Sequence, residues 1–361
     1  MMRSICVRKR TARWALTAAP RSMRCVMIKK KTTFRTPRIP ETMQAAAIDR
    51  FGPPSVLTLH TLPVPEPGPH EVLIALHAAG VGIWDARMRD GAWWPTEDPA
   101  FPIVPGTDGA GFIAAKGGRV RRFEIGDRVW AYAYANPKGG FYAEYVAVDA
   151  DAVGHAPERL DLLKAGAAAV TGLTALQGID DVLRVRPGKT VLIFGASGAV
   201  GTLAVQFAKY RGATVFGTAT GRDATLLVRH LGADGVIDAR SDDAVERLRS
   251  LAPEGLDAVL GLAGSRALDR FLDLVRAGGW VAYPNGVEPE PRPRPSVRIR
   301  AYDAAAGPRE FARLASAVEE ATLRVPVSEV YPLAQAAQAH ERLEKGHVLG
   351  RIALRIRGGR R

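Results

Sequence analysis

The chain has 361 residues, of which 47% are hydrophobic and 24% charged, and its formal net charge is +13 at pH 7. This length predicts two domains with ample apolar material for a packed core. Residues 1–42 hold twelve Lys or Arg and one acid, so the rest of the chain carries a net charge of only +2. The body therefore lacks the broad basic face typical of nucleic-acid binding, and we expect no nucleic-acid partner.

The basic segment 1–42 is rich in Arg, poor in acids and without a long apolar run. We favour an upstream start codon that is not used; a transit peptide and a disordered arm for nucleic acid or a membrane surface are the alternatives. Both cysteines, Cys6 and Cys25, lie in this segment, so the body has neither a disulfide nor a thiolate metal site. No stretch approaches the roughly 20 apolar residues of a membrane span, and we expect a cytoplasmic protein without a membrane partner.

The first part of the body, residues 43–163, is interrupted by Gly and Pro every few residues. Short apolar runs such as EVLIALHAAGVG and DRVWAYAY stand between the interruptions. This pattern predicts an irregular all-β domain.

Strand and helix patterns alternate from residue 164 to about residue 300. Predicted strands include VLIF, ATVFGT, GVID, LDAVLGLAG and WVAYPNG, with helical patterns such as ALDRFLDLVRAG between them. This alternation predicts an α/β fold with a doubly wound parallel sheet. The Pro- and Arg-rich stretch VEPEPRPRPSVRIRA is predicted to be an extended, exposed connector, and residues 301–361 end in a helix and a strand.

The connection between the VLIF strand and its helix, GASGAVG, offers almost no side chains. A bare backbone at a helix N-terminus can approach a phosphate closely, and the helix dipole favours an anion there. Against the dinucleotide fingerprint, the first of the three glycine positions holds alanine. A tight connection in an unrelated α/β protein is the alternative. The predicted cofactor-binding residues are Ala196, Ser197, Gly198, Ala199, Val200 and Gly201.

The end of the second predicted strand determines the cofactor choice. An NAD site normally has an Asp or Glu there for the ribose hydroxyls, whereas an NADP site has a small polar residue and a cation. Here the strand ends in Thr220, followed by Arg222 and Asp223, without a carboxylate at its tip. We predict NADPH, with Thr220 and Arg222 on its 2′-phosphate; a solvated loop charge is the alternative for Arg222.

Six segments in order resemble the medium-chain dehydrogenase/reductase superfamily, in its zeta-crystallin-like quinone oxidoreductase branch. They are PIVPGTDGAGFI, FEIGDRVWA, GGFYAEYVAV, AGAAAVTGLTAL, GASGAVGTLAVQFAK and AHERLEKGHVLGRIAL, and the resemblance covers residues 43–356. It implies a GroES-like β-barrel catalytic domain (43–163), a Rossmann NADP-binding domain (164–300) and a return of residues 301–361 to the catalytic domain. It also implies a homodimer.

Zinc-dependent members of this superfamily have Cys, a His-Glu pair and a further Cys where this sequence has Gly82, Thr107-Asp108 and Val170-Thr171. We therefore expect no metal, and we interpret Asp108 as a structural hydrogen-bonding group. Without zinc, hydrogen-bond donors must polarise the substrate carbonyl.

Aromatic residues are frequent in the predicted catalytic domain. They suit a flat, conjugated substrate, although core packing is the alternative. Asp85 and Tyr132 are the candidates for relaying a proton. The predicted substrate-pocket residues are Trp84, Trp93, Trp94, Tyr134 and Phe141.

Further cofactor residues are expected near the strand ends. The resemblance places Thr171 toward the cofactor carboxamide, while Gly261 and Asn285 lie where open α/β sheets bind ligands. Arg351 either approaches a cofactor phosphate or closes the final strand. We expect His340 and His347 at the surface.

The sequence thus predicts an NADPH-dependent, zinc-independent oxidoreductase that transfers hydride to a small-molecule electrophile, a quinone or another α,β-unsaturated carbonyl compound. One alternative is an enoyl-thioester reductase of the same superfamily. The other is a non-catalytic member that binds nucleotides or RNA.

Overall fold

The structure is a computed structural model that describes residues 38–93 and 99–357. Most of the basic N-terminal segment and the predicted pocket residue Trp94 lie outside these ranges. Within them, no helix is both long enough and apolar enough to cross a membrane.

The N-terminal part of the body forms a two-stranded ribbon and most of a seven-stranded sheet. Its strands are β1 (Thr42–Ala47), β2 (Thr58–Pro63), β3 (Glu71–Val81), β4 (Asp108–Lys116), β5 (Arg128–Tyr132), β6 (Tyr145–Asp149) and β7 (Val153–His155). The ribbon consists of β1 and β2, whereas β3 pairs antiparallel with both β4 and β6. A helix that the Gly and Pro pattern does not predict, α1 (Ile83–Asp90), follows β3 directly.

A six-stranded parallel sheet follows, after α2 (Leu162–Gly166) and α3 (Ala169–Gln177). Its elements are β8 (Thr190–Phe194), α4 (Ala199–Tyr210), β9 (Thr214–Thr218), α5 (Arg222–His230), β10 (Gly235–Ile237), α6 (Ala244–Leu251), β11 (Leu256–Gly261), α7 (Arg266–Leu272), β12 (Val275–Pro284) and β13 (Arg298–Tyr302). The strand order is β10-β9-β8-β11-β12-β13, which confirms the predicted doubly wound α/β fold.

The apolar run of β8 is buried because helices cover both faces of this sheet. Val191 and Ile193 pack into the core that contains Phe207 of α4, whereas Leu192 and Phe194 pack into a second core with Phe271 of α7. Alternate residues of one strand therefore contribute to two separate cores, which is why the run shows no polar position.

Two predicted boundaries in this region are wrong. The predicted connector contains β13, which pairs with β12 at the edge of the sheet. The alternation of arginine with apolar residues in Arg298–Tyr302 is the strand signal, and Tyr302 anchors it by donating to the Thr174 carbonyl at 2.8 Å. The helix predicted from ALDRFLDLVRAG ends at Leu272, and Val275 already begins β12.

The end of the described chain returns to the N-terminal sheet. It forms α8 (Pro308–Glu320), β14 (Val327–Pro332), α9 (Ala336–Glu344) and β15 (Arg351–Arg355). β15 pairs antiparallel with β3 and parallel with β14, so both strands extend that sheet. Gly350, just before β15, donates its N–H to the Ser197 carbonyl at 2.8 Å, so this part of the chain touches both sheets.

Candidate active site

A cavity of about 900 Å³ lies where the two sheets meet. The turn after β8 and the ends of β11 and β12 form one part of its wall. The end of β3, the start of α1 and the end of β5 form another part, and Arg351 of β15 lines it as well. Such a junction at strand ends is where open α/β sheets bind ligands.

The turn after β8 presents backbone rather than side chains to the cavity. Gly195 has a φ of +87°, which favours glycine, and its N–H donates to Thr218 Oγ1 at 2.8 Å. A Cβ on Gly201 would collide with the Gly195 carbonyl oxygen, so glycine lets α4 approach the turn closely. Gly198 is the N-cap of α4 and provides no capping side chain. The first N–H groups of α4 therefore lack intrahelical acceptors.

This turn fits the phosphates of a dinucleotide. Gly198, Ala199, Val200 and Gly201 all line the cavity, where free N–H groups and the helix dipole favour an anion. The other two predicted residues of the turn do not line it. Ala196 is fully buried, and the Ser197 carbonyl accepts the Gly350 N–H.

The tip of β9, which bears on cofactor choice, has a carboxylate beside it that the sequence analysis does not predict. Thr220 Oγ1 donates to Asp238 Oδ1 at 3.1 Å, so a carboxylate from the end of β10 reaches the tip of β9. Arg240 donates to Asp238 Oδ2 at 3.2 Å and holds the pKa of this carboxyl below its usual value. Arg222 is exposed and, among the described residues, makes no ion pair with Asp223. Neither Thr220 nor Arg222 lines the cavity.

Of the next three predicted cofactor residues, two line the cavity and one does not. Thr171 of α3 is buried and lines the cavity. Asn285 also lines it and donates to Asp303 Oδ2 at 2.6 Å. Gly261 does not line it; a Cβ there would lie 2.9 Å from Leu268 of α7, so this glycine faces the helix.

Three aromatic side chains cluster on the cavity wall formed by the N-terminal sheet and α1. The ring centroids of Trp93 and Tyr134 are 4.4 Å apart, and those of Trp84 and Tyr134 are 5.6 Å apart. All three of these residues line the cavity. The prediction for Phe141 is wrong, because its side chain is fully buried in the core of the N-terminal sheet and lies behind the wall. Phe141 is therefore a core residue, which is the alternative that the sequence analysis gives for these aromatic residues.

Arg87 is a cavity-lining cation that the site prediction omits. It follows Trp84 by one helical turn, and its guanidinium carbon lies 5.1 Å from the Trp84 ring centroid. Its Nη2 donates to the Gly286 carbonyl at 3.2 Å, which links α1 to the loop after β12. The three-residue spacing on a predicted helix would have indicated this neighbour, but α1 itself escapes the sequence pattern.

Charged residues from two strands and a helix, Asp108 of β4, Arg351 of β15 and Asp85 of α1, meet at the cavity wall. Arg351 Nη2 donates to Asp108 Oδ1 at 2.8 Å, and the Val170 N–H donates to Asp108 Oδ2 at 3.1 Å. Asp85 accepts the Gly82 N–H on Oδ2 at 2.7 Å, whereas its Oδ1 is buried without a partner. Asp108 is thus held by two donors, and the Arg351 side chain is held by Asp108.

The two candidate proton-relay residues differ in their access to the cavity. Asp85 has an exposed fraction of 0% and does not line the cavity; burial raises its pKa to about 6, with Arg351 opposing the shift. Tyr132 lines the cavity, and burial raises its pKa to about 12, so its hydroxyl stays protonated at neutral pH. Of the two, the structure brings Tyr132 to the cavity.

The prediction that His340 lies at the surface is wrong. His340 is fully buried, with Tyr142 Oη 3.0 Å from its Nε2 and Arg89 Nη1 3.4 Å from its Nδ1. Arg89 also pairs with Glu344 at 2.7 Å. Burial lowers the pKa of His340 to about 3, and the Arg89 charge acts in the same direction. His347 is exposed, as predicted.

Asp108 is the only carboxylate, imidazole or thiolate among Gly82, Thr107-Asp108 and Val170-Thr171, the positions that correspond to zinc ligands in the metal-dependent members of the superfamily. Among the described residues, no group of three or more His, Cys, Asp or Glu side chains could hold a metal ion. We expect the purified protein to contain no stoichiometric zinc and to keep its activity in EDTA, as measured by metal analysis and an assay of the same sample. Zinc that is lost together with activity would contradict this prediction.

Comparison with known proteins identifies the class. Residues 68–158 match the alcohol dehydrogenase GroES-like domain, and residues 231–354 match a family described as zinc-binding dehydrogenase. The quinone oxidoreductase of Mus musculus is 31% identical over 318 residues, which cover 84% of this chain and 95% of the relative.

Solved structures agree with this match. An NAD-dependent alcohol dehydrogenase is 31% identical with a TM-score of 0.81, and the alignment covers 87% of this chain and 100% of that chain. A mycobacterial protein in complex with NADPH is 30% identical with a TM-score of 0.77, over 87% of this chain and 100% of that chain. The chain therefore belongs to the medium-chain dehydrogenase/reductase superfamily and is an oxidoreductase. Its relatives within that superfamily include quinone oxidoreductases.

Proposed function

We propose that this oxidoreductase uses NADPH, without zinc, to reduce quinones or other α,β-unsaturated carbonyl compounds. The observation that carries this proposal is a single cavity that has a bare helix N-terminus on one part of its wall and an aromatic cluster on another. The first feature suits the phosphates of a dinucleotide, and the second suits a flat conjugated ring. The name of the mouse relative and the NADPH bound to the mycobacterial neighbour support the same assignment.

The cofactor would be held by backbone groups of the glycine turn and by side chains around it. A bound nicotinamide supplies the hydride. Gly198 and the first residues of α4 would hold the phosphates, with Thr171 and Asn285 beside the rest of the molecule. Tyr132, neutral and in the cavity, is the candidate donor for the proton that completes the reduction.

An assay of several electrophiles with both cofactors tests the proposed function. Purified protein would be mixed with NADPH or NADH and with a 1,4-naphthoquinone, an aliphatic enone or an enoyl thioester, and cofactor oxidation followed at 340 nm. Faster turnover of the quinone or enone with NADPH supports the proposal. A preference for the thioester favours the enoyl-thioester alternative, and no turnover of any of them rejects the proposal.

Cofactor choice gives a separate prediction at Arg222. The Arg222→Ala variant should lose about 1.5–3 kcal/mol of NADPH binding, roughly 10- to 150-fold in Kd, because a hydrogen bond to a charged phosphate is removed. NADH binding should change little. Dissociation constants of both cofactors, measured by fluorescence titration, check this result.

The matched control is Arg229→Ala, which removes another exposed arginine of α5. Equal, small losses for NADPH and NADH in the Arg222 variant would reject its role at the 2′-phosphate. A parent protein that prefers NADH would instead assign Asp238, beside Thr220, to the ribose hydroxyls.

A further inference from the structure

The Arg351 guanidinium occupies a confined place on the cavity wall. The residue is 6% exposed, yet it lines the cavity together with Gly82. A Cβ on Gly82 would lie 3.2 Å from Nη2 and 3.3 Å from Nη1, and a Cβ on Gly80 would lie 2.6 Å from Nη2. The two glycines therefore leave open the space that the guanidinium fills.

Most of the hydrogen-bonding capacity of Arg351 is unused. Nη2 donates to Asp108, whereas Nε is buried and has no partner. In the part of the chain that the structure describes, Nη1 makes no hydrogen bond either. A guanidinium carries five N–H donors, and leaving buried donors unpaired is unfavourable. Because the residue lines the cavity, an acceptor on a ligand there can use guanidinium donors that the protein leaves free.

The position of Arg351 indicates which ligand supplies that acceptor. Gly82 is the N-cap of α1, and Trp84 of the aromatic cluster lies two residues further on. On the other side, Gly350 bonds to Ser197 of the glycine turn. Arg351 thus stands between the aromatic cluster and the phosphate turn, the part of the cavity where a cofactor ring and its substrate would meet.

We propose that Arg351 is the residue that polarises the substrate carbonyl, by donating a hydrogen bond to its oxygen and stabilising the negative charge that forms there. This inference rests on the proposed function. A bound reduced nicotinamide would supply the hydride that forms a C–H bond at the electrophilic carbon of the quinone or enone, and would itself be oxidised in the transfer. The π pair of that carbon moves through the conjugated system to the oxygen, and the enolate takes a proton from Tyr132 or solvent.

Asp108 is the positioning residue in this proposal. It binds Nη2 and is itself fixed by the Val170 N–H, so the guanidinium keeps its orientation without the substrate. A guanidinium does not release its proton in proteins, so Arg351 acts through charge and hydrogen bonding and not as an acid. A preorganised donor at a developing oxyanion contributes about 100- to 1000-fold to kcat.

Three variants test the role of Arg351. Arg351→Met should lower kcat for NADPH-dependent reduction of a 1,4-naphthoquinone about 100-fold, while the Kd of NADPH stays within about twofold. Arg351→Lys should recover part of this loss because the charge is retained. Gly82→Ala should lower kcat less, about tenfold, because the added methyl displaces a guanidinium that remains present. Arg355→Met, which removes an exposed arginine of the same strand, is the matched control.

A binding measurement tests the same contact without turnover. The 2-hydroxy-1,4-naphthoquinone anion should bind Arg351→Met about tenfold more weakly than the parent protein, whereas its neutral 2-methoxy ether should bind both alike, as followed by tryptophan fluorescence. Because Arg351→Met leaves Asp108 buried without its partner, the double variant Asp108→Asn/Arg351→Met should repeat these results in a folded protein.

Two outcomes would overturn the proposal. Weaker NADPH binding with unchanged kcat would place Arg351 on a cofactor phosphate, and unchanged kcat with unchanged anion binding would leave it a structural residue. A parent protein that reduces none of the electrophiles would reject the proposed function instead. In that case, equal binding of the naphthoquinone anion by parent and variants would still reject the role of Arg351.

Discussion

Replacing Asp108 with alanine should lower the free energy of unfolding by about 3–5 kcal/mol, the range for breaking a buried ion pair by removal of one partner. Asp108 has an exposed fraction of 0%, and its variant would leave Arg351 buried with a charge and no acceptor. The Val170 N–H would lose its acceptor as well. Denaturant unfolding of parent and variant, at pH 7 and equal salt, measures the difference.

Two control variants separate the loss of the ion pair from nonspecific destabilisation. Asp108→Ala/Arg351→Met should be more stable than Asp108→Ala alone, because the uncompensated charge is removed with its partner. Lys164→Ala breaks an exposed pair with Asp161 at 2.8 Å and should cost no more than about 1 kcal/mol. A double variant no more stable than the single one would show that the ion pair is not the source of the loss.

Lowering the pH from 7 to 4 should reduce the free energy of unfolding of the parent protein by about 3 kcal/mol more than that of a His340→Gln variant. Burial holds the pKa of His340 at about 3, against a usual value of 6.5, so the folded state keeps this imidazole neutral. The unfolded chain takes up the proton below pH 6.5. The stability that His340 contributes is therefore fully present above pH 6.5 and is lost as the pH falls toward 3.

The comparison must be made between variants and not from the profile of the parent protein alone. Asp85 has the opposite dependence, because a pKa raised to about 6 adds stability as the pH falls from above 6 toward 3.8. The two groups face each other through Tyr142, whose hydroxyl lies 3.3 Å from Asp85 Oδ2. His347→Gln, at an exposed histidine, is the matched control. Parallel losses in the parent and His340→Gln between pH 7 and 4 would contradict the prediction.

The parts of the fold that sequence patterns predict are those encoded locally. The apolar run of β8, the small residues of the turn and the amphipathic helix α4 lie next to one another in the chain, so their order alone indicates a dinucleotide-binding turn. The edge strand β13 is less evident. The prolines that precede it dominate the sequence pattern, and only the first four residues of the strand, Arg298 to Ala301, alternate between polar and apolar.

The parts that escape prediction depend on contacts between distant residues. Asp108 and Arg351 are separated by 243 positions, and nothing near either residue indicates that the other will neutralise it. The carboxylate at the tip of β9 comes from the next strand, and that contact also depends on the sheet order. For His340 a local signal exists, since Ala336 and Ala339 share its buried face of α9. The polar residues around it conceal that spacing.

Different kinds of contact join the two sides of the cavity at its two ends. At the glycine turn, the two sheets are joined by the backbone hydrogen bond from Gly350 to Ser197 and by the bridge between Gly198 and Gly350. Near the aromatic cluster, the link from Arg87 to Gly286 is an exposed side-chain contact, which opens at lower cost than a backbone bond within packed structure. Opening of the cleft would therefore take the form of a hinge whose axis passes near the glycine turn. A substrate could then exchange beside the aromatic cluster while the phosphates of a cofactor stay held at the glycine turn.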